Sequence, residues 1–448
     1  MKNREIISIH IGQAGSQIGN TCWELYCLEH GIDHTTGIQS LPQSSSDYSI
    51  EQYQRSFFSE TKNGNWKARA LFVDLDSECI DKIRMKNNSM YERESLLSGN
   101  ENAGNNFAIG RGVGGSLVLE NCLERIRNMV EKCEALEGFL ITSSLNGGTG
   151  SGFRDALLER LSSEFDKKLK LSFDVIGAPS SVSSCVEPYN VLLGWNSIRE
   201  YSDVSVILEN EALIDICKNK LQLEQPKMTD LNEIIAHTIS STTVHLRKEG
   251  CLHVSISEIM NNLIPYPSVK YLIHSMSNIF PKNHVFNERP NVTELTRSCF
   301  LDKHSVLANC NLLEGQYMAC VVLYKGDIVP KDVGHAISTI KTSRVIRFVD
   351  WCPTGFRCGI DYSPPLTIPG GNICSMDRNA HVFANSTSIS QTFTRMGQNF
   401  DKLFSEKPFL HWYLKEGAQE EEFTQCREEL RTLQQDYLEV VQVGEEEI

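Results

Sequence analysis

The first half of the chain alternates short β-branched apolar runs with longer stretches whose apolar residues recur every three or four positions. Ile6 to Ile11 reads as a strand that ends at Gly12, and Gln17 to Glu29 has helical character. Ala70 to Val73 is a second short apolar run, closing on Asp74-Leu75-Asp76. Between residues 117 and 136, apolar groups fall at Leu119, Cys122, Leu123, Ile126, Met129, Val130 and Cys133, which is one face of a helix. Phe139 to Ile141 predicts a third strand running into a glycine-rich segment, followed by a helix over Phe153 to Phe165 and strands over Leu171 to Ile176 and Val204 to Leu208. Strands alternating with helices predict an α/β fold of Rossmann-like type, with a parallel sheet covered on both faces.

Past residue 210 the pattern changes. A helix is expected near Leu231 to Lys248, then Ser257 to Leu263 and the turn Pro265-Tyr266-Pro267. Strands over Met318 to Tyr324 and Arg344 to Asp350, separated by a helical Lys331 to Ile340, predict a second α/β domain. Ser386 to Val443 reads as mostly helical, with Trp412 and Tyr413 between two helices. The expected organisation is a nucleotide-type domain over 1–209, an intermediate α/β domain over 210–385, a C-terminal helical hairpin over 386–441 and a short acidic tail over 442–448. Ser40 to Ser49 reads as a loop.

Composition narrows the function classes. The 448 residues are 40% hydrophobic and 22% charged, enough for sizeable cores. Lys and Arg number 43 against 57 Asp and Glu, a net charge of −14, which argues against nucleic acid or anionic lipid as the main partner. Fifteen cysteines without any Cys-x-x-Cys pair suggest reduced thiols rather than a disulfide framework or zinc ribbon. No secretory signal and no run of 18 apolar residues is visible, so an intracellular chain without a membrane span is expected, and triplets such as Asn87-Asn88-Ser89 read as chance.

The strongest chemical signal is Asn146-Gly147-Gly148-Thr149-Gly150-Ser151-Gly152, between a strand and a helix. Backbone N–H groups there could cradle a phosphate, with Thr149 and Ser151 adding hydroxyls; the plain alternative is a turn. It is neither a Walker A loop nor a Gly-x-Gly-x-x-Gly motif. Gly12-Gln13-Ala14-Gly15-Ser16-Gln17 reads as a second loop, which follows the first strand and would sit at the same carboxyl edge of the sheet, where open α/β folds bind ligands. Asn102-Ala103-Gly104-Asn105-Asn106 is a third such segment. Asp74 and Asp76 offer hard oxygen ligands for Mg²⁺ beside a phosphate, or simply end a strand.

Longer strings carry a resemblance. Ile9-His10-Ile11-Gly12-Gln13-Ala14-Gly15, Cys22 to Gly31, Asn146 to Gly152, Val186-Glu187-Pro188-Tyr189-Asn190, Asn210-Glu211-Ala212, Pro265-Tyr266-Pro267, Val349 to Phe356 and His411-Trp412-Tyr413 together resemble the α-tubulins, almost end to end. Pro364 to Ser375, with Pro369-Gly370-Gly371, is similar to the longer loop of the α type, and Glu258 stands at the position of its catalytic glutamate. The resemblance implies GTP and Mg²⁺ as cofactors and β-tubulin as partner, both in a heterodimer and along a filament. It also implies motors and other microtubule-associated proteins as partners, and a cytoplasmic, microtubule location that includes axonemes. Glu258 would orient or deprotonate the water that attacks GTP in the neighbouring β subunit, a GTPase acting in trans. From residue types alone, Glu258 would be a solvated first-turn glutamate beside an N-cap Ser257.

Carried over by position, Gly12, Gln13, Ala14 and Gln17 would meet phosphate from the first segment. Ser144, Gly147, Gly148, Thr149 and Gly150 would wrap the phosphates. Asn102, Ala103 and Asn105 would reach the terminal phosphate, and Asp74 and Asp76 the metal. Ser183 and Glu187 would hold the ribose, Asn210 and Asn232 the guanine edge, and Met228 would pack on the base. Several positions depart from the family pattern. Asn146 replaces a glycine of the phosphate loop, Asn102 an aspartate, Asp76 a glutamate and Met228 a stacking tyrosine. Pro281 and Asn287 alter the lateral-contact loop. The stretch 33–54 has no lysine for the family's acetylation, and the tail, with Glu445 to Glu447, ends in Ile448 rather than tyrosine. These changes predict weaker or altered nucleotide binding, tolerable at Asn146 if its φ is negative. They leave two readings: a divergent α-type subunit that co-assembles, or an α-like regulator that caps or sequesters β-tubulin. A free-standing enzyme of another class finds no nucleophile or acid–base pair near these loops.

Overall fold

The computed structural model describes residues 4–39, 53–86, 89–112, 116–178, 184–248, 256–282, 290–343, 346–351 and 356–442. The chain divides into two compact units, Met1–Ser205 with Thr394–Thr432, and Val206–Phe393 with Leu433–Ile448.

In the first unit the strands are β1 (Glu5–Ile11), β2 (Phe58–Glu60), β3 (Trp66–Ala68), β4 (Ala70–Asp74), β5 (Leu96–Ser98), β6 (Leu136–Ser144) and β7 (Leu169–Ile176). Five of them form a parallel array in the order β7-β6-β1-β4-β5, while β2 and β3 make a separate antiparallel pair. Every residue of β1 and β4 is buried, as a sheet covered on both faces requires. Ile7, Ile9, Ile11, Val73, Phe139 and Ile141 form one core with Cys122, Leu123 and Ile126, the expected face of the helix Ser116–Glu131. His10 is polar yet buried in β1. Burial pushes its imidazole down to about 3, so the ring is neutral. The Trp23 indole can only donate, and it donates to His10 Nε2 at 3.1 Å; Nδ1 therefore carries the proton and donates to Thr142 Oγ1 at 2.6 Å. The C-terminal helical segment is held on the helix Glu187–Tyr201 by Tyr189, whose ring meets Phe400, Phe404, Tyr413 and Phe423 edge-on.

The strand β8 (Val204–Glu209) carries the chain into the second unit. There β9 (Tyr271–Met276), β10 (Tyr317–Gly326), β11 (Phe356–Asp361) and β12 (Arg378–Ser386) take the order β11-β10-β12-β9. β10 and β11 run parallel and the other pairs antiparallel. Helices run over Asn210–Asn219, Met228–Arg247, Ile256–Leu263, Val292–Leu301 and Pro330–Ser343. The α/β class, the parallel-dominated sheet and the helical C-terminal region are those expected from the sequence.

Four local expectations need correction. The first helix spans Gly12–His30, so Gly12 to Gln17 is helix rather than loop. Arg344 to Asp350 is not a strand in its described part. From Cys320 onward the edge of β10 is taken by β11, and the 346–350 stretch reaches only Tyr317, through a single bridge at Phe348. The helix carrying Glu258 begins at Ile256, so Ser257 lies within its first turn and is not its N-cap. Trp412 and Tyr413 form part of a short helix of their own, Leu410–Lys415. The 40–49 stretch, the 87–88 asparagines, Asn287 and residues 443–448 fall outside the described residues. Among the described residues no helix is long and apolar enough to cross a membrane.

Candidate functional site

Because β6, β1, β4 and β5 are parallel neighbours, the segments that follow them emerge at one edge of the first unit's sheet. The helix Gly12–His30 starts there directly from β1. Gly12 has a φ of +73°, and a Cβ on it would come within 3.3 Å of the Gly150 nitrogen. Two of the glycine segments singled out in the sequence therefore touch, and only glycine permits that turn at that spacing. After β6 the chain makes one wide turn over Thr149–Phe153 before the helix Arg154–Glu164. Ser151 closes it, its hydroxyl donating to the Gly147 carbonyl at 2.6 Å. A Cβ on Gly148 would collide with the backbone of Asn106 at 2.6–2.7 Å, whereas one on Gly147 would meet only Asn105 Oδ1 at 3.8 Å. The glycines thus divide by role. Gly148 allows two backbone segments to pack closely, and Gly147 leaves open space at the edge.

The loop after β5 wraps the same place. Gly104 and Asn105 both take φ of +55°, and Asn102 Oδ1 accepts from the Gly104 N–H at 3.0 Å. Asn106 caps the helix Phe107–Arg111 by accepting from the Ala108 N–H at 2.9 Å. What locks this loop to the glycine turn is Asn190, a residue the sequence reading quoted but gave no role. Its amide donates to the carbonyls of Asn105 (2.7 Å) and Asn146 (2.9 Å) and accepts from the Phe107 N–H (3.1 Å) and the Tyr413 hydroxyl (2.7 Å). Asn190 is fully buried. Its only sequence signal is a polar residue among apolar neighbours on a helical face.

Asp74 closes β4 and is buried; its Oδ2 takes no hydrogen bond among the described residues. Burial pushes its carboxyl up to about 6, with the backbone N–H groups of Asp76 and Leu75 and the Thr149 hydroxyl opposing and the Asp76 charge adding to the rise. Asp76 Oδ2 accepts from the Asn102 amide at 3.3 Å, and its Oδ1 from the Glu78 N–H at 3.0 Å. A buried carboxylate next to a second carboxylate fits a hard cation that completes its shell with phosphate and water. No group of three or more His, Cys, Asp or Glu that could hold a metal alone occurs among the described residues.

Asn146 keeps φ outside the left-handed region, as required for a side chain at that position. Its Oδ1 accepts from the Gly177 N–H at 2.7 Å and its Nδ2 donates to Glu187 Oε2 at 2.7 Å. Glu187 Oε1 accepts from the Ser184 N–H at 3.2 Å. Ser144 Oγ is 3.5 Å from Asn146 Oδ1. Gln13 is exposed, and Ala14 and Gln17 half-buried, in the first turns of the opening helix; Ala103 is buried. Ser183 lies outside the described residues.

The remaining candidates belong to the second unit. Asn210 begins one helix, Met228 begins the helix packed against it, and Asn232 follows one turn later. Both asparagines are half-buried, and Met228 is 58% exposed. Glu258 is exposed on the first turn of Ile256–Leu263, its carbonyl taking the Asn262 amide.

The helix start at Gly12, the glycine turn and the 102–105 loop thus meet at one edge of the sheet, with Asp74 and Asp76 beside them, an arrangement able to take a phosphate and its cation. Comparison with known proteins agrees. Residues 5–218 match the family model described as "Tubulin/FtsZ family, GTPase domain", and residues 267–398 match the "Tubulin C-terminal domain". The two matches together take in most of the chain and both of its units, and the chain belongs to the tubulin family.

Proposed function

We propose that this chain is an α-type tubulin subunit that holds GTP with Mg²⁺ at the carboxyl edge of its first unit, pairs with β-tubulin and works in microtubules. The observation that carries the nucleotide part is the meeting of Gly12 with Gly150. It joins a helix N-terminus and a glycine-lined turn into one anion cradle. The N–H groups of Gly12, Gln13 and Ala14 and of Gly147 to Gly150 would bind phosphate oxygens, and Thr149 would add a hydroxyl. Asn102, Ala103 and Asn105 would close over the terminal phosphate. Asp74 and Asp76 would hold the cation, which neutralises phosphate charge when bound. Glu187, with Ser183, would orient the ribose. For Asn210, Asn232 and Met228, which belong to the second unit, the assignment to the guanine base is what the resemblance implies; a methionine there would lack the gain of two stacked π systems.

The α-type part rests on Glu258 and on the long 364–375 loop. Glu258 is exposed on its helix, and a carboxylate brought against a neighbour's GTP can orient or deprotonate the attacking water. Full-length chain mixed with β-tubulin and GTP should pellet with polymer. Glu258→Ala should also pellet, but its polymer should release phosphate more slowly and resist disassembly. A chain that binds β-tubulin yet stays wholly in the supernatant would favour the regulator reading; unchanged phosphate release by Glu258→Ala polymer would remove Glu258 from catalysis.

A further inference from the structure

The side chain at position 146 enters the frame around Glu187. The Gly177 N–H can only donate and the Glu187 carboxylate can only accept, so the orientation of the Asn146 amide between them is fixed: oxygen to Gly177, nitrogen to Glu187. A side chain on Gly177 would collide with the Asn146 amide, so the missing Cβ there makes the slot the amide fills. The Asn146 carbonyl is itself held by the buried Asn190. Asn146 is thus tied at both its backbone and its side chain. It links the glycine turn, the residue just after β7 and the start of the helix Glu187–Tyr201.

The geometry points to Asn146 as the positioning residue of the sugar site: it holds the Glu187 carboxylate in place for the ribose hydroxyls, and so sets how strongly the chain prefers a ribonucleotide over a deoxyribonucleotide. The inference rests on the nucleotide reading above and adds to it a source of sugar selectivity. Glu187 is buried, and the Ser184 N–H holds its other oxygen. A carboxylate fixed by two donors on different segments loses little rotamer freedom when a ribose hydroxyl binds. No other uncharged side chain of the same size supplies both an acceptor for Gly177 and a donor for Glu187. Aspartate would satisfy Gly177 but set a second negative charge against Glu187, and glycine would leave Glu187 without that donor.

The test uses the full-length chain. Protein is stripped with chelator, incubated with equal GTP, 2′-deoxyGTP and 3′-deoxyGTP, and returned to Mg²⁺. The bound nucleotides are then counted by chromatography after denaturation. Wild type should be enriched in GTP. Asn146→Gly should lose about tenfold of that enrichment, the size expected for one hydrogen bond to a charged group. Glu187→Gln should lose a similar factor, and the double variant should lose no more than either single one, because both act through one contact. Asn146→Asp keeps the side-chain shape and should lose the enrichment too, which preserves the test if the glycine variant fails to fold by circular dichroism. Retained enrichment in a folded Asn146 variant, or losses that multiply in the double variant, would overturn the inference and leave the nucleotide reading intact. A wild-type chain that takes up no guanine nucleotide would overturn both.

Discussion

The two units put their candidate residues to work in different ways. In the first, the site is made of backbone: a helix start, a glycine turn and a loop with two left-handed residues, fastened by the buried amide of Asn190. In the second, the candidate base-reading groups are side chains on helix surfaces, with Asn210 and Asn232 half-buried and Met228 58% exposed. A backbone site tolerates substitution poorly, since nearly every neighbour is a main-chain atom that cannot move aside. A side-chain site can lose one contact and keep the rest. The departures from the family pattern follow that contrast. Met228 changes an exposed side chain, whereas Asn146 sits in the backbone region and is absorbed only because Gly177, Glu187 and Asn190 each bond to it.

The largest expected effect lies in the first unit. Asn190→Leu would leave the carbonyls of Asn105 and Asn146, the Phe107 N–H and the Tyr413 hydroxyl without their partner, and should destabilise the chain by about 3 kcal/mol. Chemical unfolding monitored by circular dichroism would measure it, and nucleotide retention should fall in parallel. A change under about 1 kcal/mol would mean that the asparagine hub does not hold the loops together.

In the second unit a pH effect of intermediate size is expected at Glu233. Burial beneath the 371–373 backbone raises its carboxyl from 4.5 to about 7, with Asp230 adding to the rise and the Asn372 N–H and Lys282 opposing it. A carboxyl whose pKa is higher folded than unfolded binds more protons in the folded state. This contribution is therefore lost as pH rises from about 4.5 to about 7. Glu233→Gln keeps an acceptor for Asn372 and removes the charge. It should be more stable than wild type at pH 8, on the order of 1–2 kcal/mol, and the advantage should vanish near pH 4.5. Parallel stability curves for the two proteins across that range would contradict the assignment.

The smallest effect is expected at Met228. Met228→Tyr should raise guanine-nucleotide affinity a few-fold by restoring a π face, with unfolding unchanged because the position is exposed. A drop in affinity would show that the methionine is not beside the base.

Much of this was legible in the sequence, for identifiable reasons. β1 and β4 are buried on both faces and read as short apolar runs, β1 through its four isoleucines despite Ser8 and His10, and the 116–131 helix showed its buried face by spacing alone. Gly12 to Gln17 misled because glycines usually mark loops. Here Gly15 faces the Thr142 carbonyl and Gly19 the His10 ring, so close packing inside a helix selects them. The expected strand at 344–350 had the right composition, but β11 takes the edge of β10 from Cys320 onward and leaves it a single bridge at Tyr317. Asn190 escaped assignment because nothing local distinguishes a buried hydrogen-bonding hub from an ordinary helix asparagine; its four partners lie 44 to 223 residues away. Asp74 and Asp76 were placed at the strand end correctly, but the buried carboxylate that suits a cation appears only in three dimensions.

The most direct measurement is the nucleotide and metal content of the purified full-length chain after denaturation, with Gly148→Ala as the comparison. The account predicts about one guanine nucleotide with Mg²⁺ per wild-type chain, as a single phosphate cradle with one coordinated cation requires, and a large loss in the variant, whose new methyl meets the Asn106 backbone. Wild-type protein that releases no guanine nucleotide, or a folded Gly148→Ala chain that releases as much as wild type, would contradict it.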